Sequence, residues 1–320
     1  MRGREFIKVI TASAAAWPLA ARAQRPVIGF LRSTSLDSSP HLVTAFRQGL
    51  NEVGYVEGQN VVIEYHGADG QLDRLPTLVA DLIHLQAAVI VANLTAALPA
   101  KAATKTIPIV FTTGSDPVND GLVVNINRPG SNVTGVVFFN DELGTKRLEL
   151  LRKLVPKAET IGVLVNPTNP GTRAEQRDVE EAAHAIGQQL MVFNADRDIE
   201  TAFATLAQRG AGALLVGSGS FLFSKREQIV ALAARHSLPA SYPQRDYVAG
   251  GGLMSYGASI ADAYRQAGIY VGRILNGEKP GELPVVQSTK FEFTINLKTV
   301  KTLGLEISPQ LLATAEEVIE

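Results

Sequence analysis

"TIGVLVNPTNP", residues 160–170, reads as a fold unit beginning again halfway along the chain. Residues 160–165 form a continuous aliphatic and β-branched run, the pattern of a strand covered on both faces of a parallel sheet. The run then breaks into amides, a hydroxyl and two prolines, which cannot extend a strand interior. An equivalent start lies at "PVIGFL" (26–31), followed by Ser33, Thr34 and Ser35.

Each start opens an alternation of strand and helix patterns. In the first series, Ser39-Pro40 starts a helix that carries Leu42, Phe46, Leu50 and Val53 on one face and stops at Gly54. Strands are expected at 61–65, 88–91, 107–111 and 133–139, with a helix capped by Asp73 in between. In the second series, helices over 172–187, 197–208 and 224–236 separate strands at 189–193, 213–216 and near Pro239-Ala240. Two successive βαβ series predict an α/β protein with two doubly wound parallel-sheet lobes.

The tail does not simply extend the second lobe. "GGGLMSYG" is followed by a long helix over 259–275, and 291–296 alternates as a half-exposed strand. These segments read as passing between lobes, with crossings near 140, 250 and 285 forming a three-crossing hinge. The expected division is 24–140 plus 254–284 for the first lobe and 141–253 plus 285–320 for the second.

Arg2, Arg4 and Lys8 precede an apolar run over 9–20 and a small-x-small Ala21-Arg22-Ala23, so residues 1–23 read as an export signal cleaved after Ala23. "RGREFIK" resembles a twin-arginine signal with Gly3 in place of the first arginine. The apolar run is shorter than the roughly 20 residues that span a bilayer. With 46% hydrophobic residues and 19% charged ones, the chain can build large cores. Without residues 1–23, 26 basic residues face 30 acidic ones, so no basic surface for nucleic acid is expected. The chain has no cysteine, which excludes disulfides and a lipid anchor at the cleavage site. A soluble periplasmic monomer is the expectation.

Ligands of open parallel sheets bind beyond the carboxyl ends of the strands, and polar clusters fall there. They are Ser33 and Thr34; Asn93 and Thr95 in "VANLTAA"; Thr113, Gly114, Ser115 and Asp116 in "FTTGSDP"; Asn166 and Asn169; and Ser218, Ser220 and Phe221 in "VGSGSF". Any one of them could simply cap a helix or make a turn. Five at the same ends of two sheets point to a ligand clamp. Tyr242 and Tyr256 join Phe221 as candidates for stacking on a flat ligand. No nucleophile elbow, phosphate loop, zinc helix or dinucleotide fingerprint is present. The five histidines (41, 66, 84, 184, 236) are scattered, so no metal, cofactor or catalytic group is expected.

Five stretches carry a specific resemblance: "FRQGLNEVGYVEGQNVVIEY" (46–65), "IPIVFTTGSDPVNDGLV" (107–123), "RPGSNVTGV" (128–136), "GGLMSYGASIADAYRQAGIYVGRILNGEKP" (251–280) and "INLKTVKTLGLEI" (295–307). Together they resemble the solute-binding proteins of ABC transporters, in the family that includes tryptophan- and tyrosine-binding receptors. The resemblance implies a type I periplasmic binding fold that closes on a small molecule and delivers it to a membrane permease. It also implies that the five clusters above are the ligand loops. Where amino-acid-binding members carry Asn-Ser and Asp-Asn pairs, this chain has Asn169-Pro170 and Gly219-Ser220. A ligand sensor feeding a membrane receptor, or a periplasmic enzyme on the same fold, are the alternatives left by the sequence.

Overall fold

The computed structural model describes residues 25–37, 39–139, 143–167, 171–195 and 198–320. The export signal expected over 1–23, and Asn169, lie outside the described residues. The first half of the chain runs β1 (Val27–Arg32), α1 (Pro40–Glu52), β2 (Val62–Gly67), α2 (Leu75–His84), β3 (Val89–Asn93), α3 (Leu94–Ala103), β4 (Ile109–Thr113) and β5 (Val133–Val137). The second continues with α4 (Gly144–Leu154), β6 (Thr160–Val165), α5 (Thr172–Ala185), β7 (Gln189–Asn194), α6 (Ile199–Gln208), β8 (Ala213–Val216), α7 (Ser220–Ser224), α8 (Arg226–Arg235), β9 (Ala240–Tyr242) and α9 (Arg245–Ala249). The tail comprises β10 (Met254–Ala258), α10 (Ile260–Leu275), β11 (Val286–Gln287), β12 (Phe291–Asn296), α11 (Leu297–Thr302), α12 (Pro309–Leu312) and β13 (Glu317–Ile319).

Two sheets result, ordered β11-β5-β4-β3-β1-β2 and β13-β12-β10-β9-β8-β6-β7. The first is parallel throughout, and in the second β12 runs antiparallel to β10. The central strands are aliphatic on both faces because helices cover both, which is why they read as unbroken apolar runs.

Three connections pass between the sheets: β5 to α4, β10 to α10, and β11 to β12. The second and third lie later than the sequence suggested. Residues 254–258 belong to the second sheet, because β10 extends the ladder from β9, and β11 brings 286–287 back to the first. The glycines at 250–252 turn α9 into β10 instead of forming a crossing. A side chain at Gly252 would meet the Tyr242 ring at 2.6 Å and the Tyr247 carbonyl at 2.8 Å. Strand β12 is not half-exposed either. Lying between β10 and β13, it buries Phe293, Thr294, Ile295 and Asn296.

After the second crossing, α10 returns to the first lobe and packs on α1 through Phe46, Leu50, Tyr264, Ala267 and Val271. Two glycines set that approach. A Cβ at Gly49 would lie 1.8 Å from the Arg265 carbonyl oxygen, and one at Gly268 would lie 2.3 Å from that of Phe46. Two expected caps are absent. Asp73 sits in a 3-10 turn (Leu72–Arg74) ahead of α2, and the Ser39 hydroxyl makes no capping bond to α1. Helices α3 and α4 were not expected from the sequence. Helix α3 packs through Ala96, Ala97 and Ala100 around an internal Pro99, too small a stripe to register as amphipathic.

Candidate functional site

Strand β1 lies between β2 and β3, and β6 between β7 and β8. At each of these reversals the following helices leave to opposite faces of the sheet, opening a crevice at the strand ends. In the first lobe that crevice is spanned by Ser33 and Asn93. The Ser33 amide donates to Asn93 Oδ1 at 2.9 Å, and Asn93 Nδ2 donates to Ser33 Oγ at 2.8 Å. Thr34 and Thr95 stand half-buried beside this pair, and the Thr34 hydroxyl is buried without a hydrogen-bond partner among the described residues.

At the end of β4, Thr113 Oγ1 and Ser115 Oγ are 2.9 Å apart, the Ser115 amide donates to Thr113 Oγ1 at 3.1 Å, and the Ser115 hydroxyl donates to Asp120. Gly114 leaves room for Phe138, whose ring would lie 3.1 Å from a Cβ there. Asp116 is exposed and folded onto its own turn, accepting from the amides of Val118 at 2.8 Å and Asn119 at 3.3 Å. It makes a turn and adds no free carboxylate to the crevice.

The second lobe is built differently. The Asn166 carbonyl accepts from the Thr172 hydroxyl at 2.8 Å, tying the β6 loop to the first turn of α5. Beneath the β8 loop, the fully buried Arg147 of α4 pairs with Glu175 of α5. Ser218 completes the group. Its amide donates to Glu175 Oε2 at 2.9 Å, its hydroxyl donates to Glu175 Oε1 at 3.2 Å, and it accepts from Arg147 Nη2 at 3.2 Å. Gly219 holds φ 128° and ψ 152°, a region essentially reserved for glycine, and Ser220 begins α7 behind it. An aspartate at 219 therefore cannot be introduced without moving this turn.

The aromatic expectations need correction. Tyr242 is 1% exposed and stacks on Tyr247 at 4.8 Å, inside the core between α8 and the sheet, so it has no face for a ligand. Phe221 is half-buried against the same core. Tyr256, also half-buried, stacks on Phe291 at 6.1 Å across the crossing strands.

Sequence reasoning missed a group where the lobes meet. His41 at the start of α1, Gln244, Arg245 and Asp246 after β9, and Glu292 on β12 line a cavity of about 380 Å³. The Ser39 hydroxyl donates to Asp246 Oδ1 across the lobes at 3.4 Å. Arg245 forks onto both carboxylate oxygens of Glu317 at 2.5 Å each. Burial, seconded by Arg245 and Arg32, outweighs the attraction of Asp246 and Glu292 and holds the His41 imidazolium below its ordinary pKa. The signal available was position alone, since "PQRD" follows a strand as the other loops do. Its charges and brevity set it apart from the hydroxyl and amide clusters.

Among the described residues no group of three metal-ligating side chains forms, and no helix is long and apolar enough to cross a membrane. The site offers fixed hydrogen-bonding groups on two facing sheet ends.

The model of the family described as ABC transporter substrate binding protein matches residues 27–319. A tyrosine-binding protein of Clostridioides difficile is 26% identical over 265 residues, covering 82% of this chain and 76% of the relative. Among solved structures, a conserved domain protein of Vibrio cholerae is 25% identical with a TM-score of 0.78, and 92% of this chain covers all of it. An ABC domain in complex with L-Trp from Streptococcus pneumonia has the same identity, TM-score and coverage. The two lobes form a type I periplasmic binding fold. The chain belongs to the ABC transporter substrate-binding protein family.

Proposed function

We propose that this chain is the exported, monomeric solute receptor of an ABC importer, holding one small polar or aromatic metabolite between its lobes and presenting it to a permease in the inner membrane. Residues 1–23 direct export and are removed after Ala23. The observation that supports the reading is a pair of separate sheets, each with polar loops at the strand ends where its order reverses, with Ser39 of the first lobe bonded to Asp246 of the second.

Capture works by population shift. Apart, the lobes leave their strand-end loops to water; a solute touching both lobes rewards the closed arrangement and is enclosed by it. Three crossings restrict the motion to a hinge. The tyrosine-binding relative makes amino acids the first solutes to test. No step requires covalent chemistry, and the solute leaves unchanged.

The test is calorimetry of the full chain against a metabolite panel, with Thr113→Ala and Asn166→Ala alongside wild type. One site per chain, and a loss of about 10-fold or more in each variant, is expected for a lost hydrogen bond on each side. Unchanged affinity in both variants removes these loops from the site.

A further inference from the structure

One buried cation of the first lobe makes no ion pair among the described residues. Arg32 ends β1, next to Ser33 at the point where the first sheet reverses. It is 6% exposed, and its Nε and Nη1 are buried with no hydrogen-bond partner among the described residues. It forms no ion pair among the described residues; its one contact of note is the face of Tyr264, 5.8 Å from the ring centroid. Arginine cannot escape the cost of burial by losing its proton, so an unmatched guanidinium here is retained against stability.

The acids that line the cavity beside His41 already accept hydrogen bonds. Glu317 takes the Arg245 fork, Glu316 accepts from the Phe293 amide at 2.6 Å, Glu292 accepts from the Ser259 hydroxyl, and Asp246 accepts from the Ser39 hydroxyl. Burial, seconded by Arg245 and Arg32, biases His41 toward its neutral form. Helix α1 adds a second attraction for negative charge. It is 13 residues long, begins at Pro40 without a side-chain cap, and presents its amino end at the same place.

We propose that Arg32 receives a carboxylate of the captured solute, so that the receptor selects organic acids, amino acids included, over neutral analogues of the same shape. This rests on the receptor reading above and names the chemistry of one end of its solute. A planar carboxylate offers the two acceptors that a guanidinium fork lacks here, and closure of the lobes desolvates the pair.

The test uses the full chain and matched probes, each an acid beside its amide: L-tyrosine and L-tyrosinamide, 3-phenylpropanoate and 3-phenylpropanamide, glutarate and glutaramide. Compounds released by denaturing protein purified from the periplasm are typed by mass spectrometry before and after methyl esterification. The expected result is that the acid of any binding pair exceeds its amide by about 100-fold or more, that Arg32→Met abolishes this preference, and that Arg32→Lys keeps part of it. Without solute, Arg32→Met should melt at or above the wild-type temperature, which a merely structural arginine would not allow. An amide binding as tightly as its acid, a released compound lacking a carboxyl group, or Arg32→Met binding acids like wild type overturns the proposal and leaves the receptor reading standing. No binding by any probe and no released compound overturns both.

Discussion

Each lobe buries one arginine at its end of the crevice, and the two are treated in opposite ways. Arg147 is fully enclosed and shares Glu175 with the amide and hydroxyl of Ser218. Arg32 is almost as enclosed, faces the Tyr264 ring and forms no ion pair among the described residues. A buried pair is expensive to assemble but more expensive to half-remove, because a stranded charge remains. Arg147 therefore fixes the shape of the β8 loop, whereas Arg32 holds its donors in reserve for something from outside. Around Arg32 the frame is kept by close helix packing of α1 on α10, with the Glu52–Arg265 ion pair joining the same two helices.

The sharpest way to break this contrast is Glu175→Leu, which removes the carboxylate that Arg147 shares with the Ser218 amide and hydroxyl. It should cost about 3–5 kcal/mol in urea denaturation. A loss below about 1 kcal/mol would mean the pair is dispensable. Gly268→Ala attacks the other frame by forcing a methyl against the Phe46 carbonyl, with an expected loss of about 1–3 kcal/mol and no change in the second lobe's hydrogen-exchange protection. Gly219→Ala should cost about 1–3 kcal/mol by strain at φ 128° and shift the Ser218 loop, weakening binding more than its stability loss implies.

The smallest effect concerns pH. His41 has a folded pKa below its unfolded value of 6.5, so the unfolded chain binds more protons as pH falls through that value. Its contribution to stability is present above pH 6.5 and is lost below it. His41→Gln should flatten the fall in Tm between about pH 6.5 and pH 5. An unchanged slope would place the acid sensitivity elsewhere.

Much of the fold was legible because both sheets are covered on both faces, and such strands announce themselves as apolar runs. The restart at Thr160 and the strand-end clusters followed directly. What escaped notice were features defined by tertiary contact. Strand β10 reads as a crossing until its ladder with β9 is seen, and Tyr242 reads as a free aromatic until Tyr247 covers it. Arg147 lies in "GTKRLELLRKL", where a buried guanidinium looks like any surface charge, and only the placement of α4 over α5 gives it meaning. The group around Asp246 escaped for a related reason. Its partners, Ser39 and His41, are about two hundred residues away in the chain.

Small-angle scattering of the full chain, with and without a solute that calorimetry shows to bind at one site, tests the central claim most directly. Two lobes closing on a solute predict a smaller radius of gyration in its presence, with a unimodal distance distribution in both states. Identical scattering curves, with the solute bound and the lobes unmoved, would contradict it.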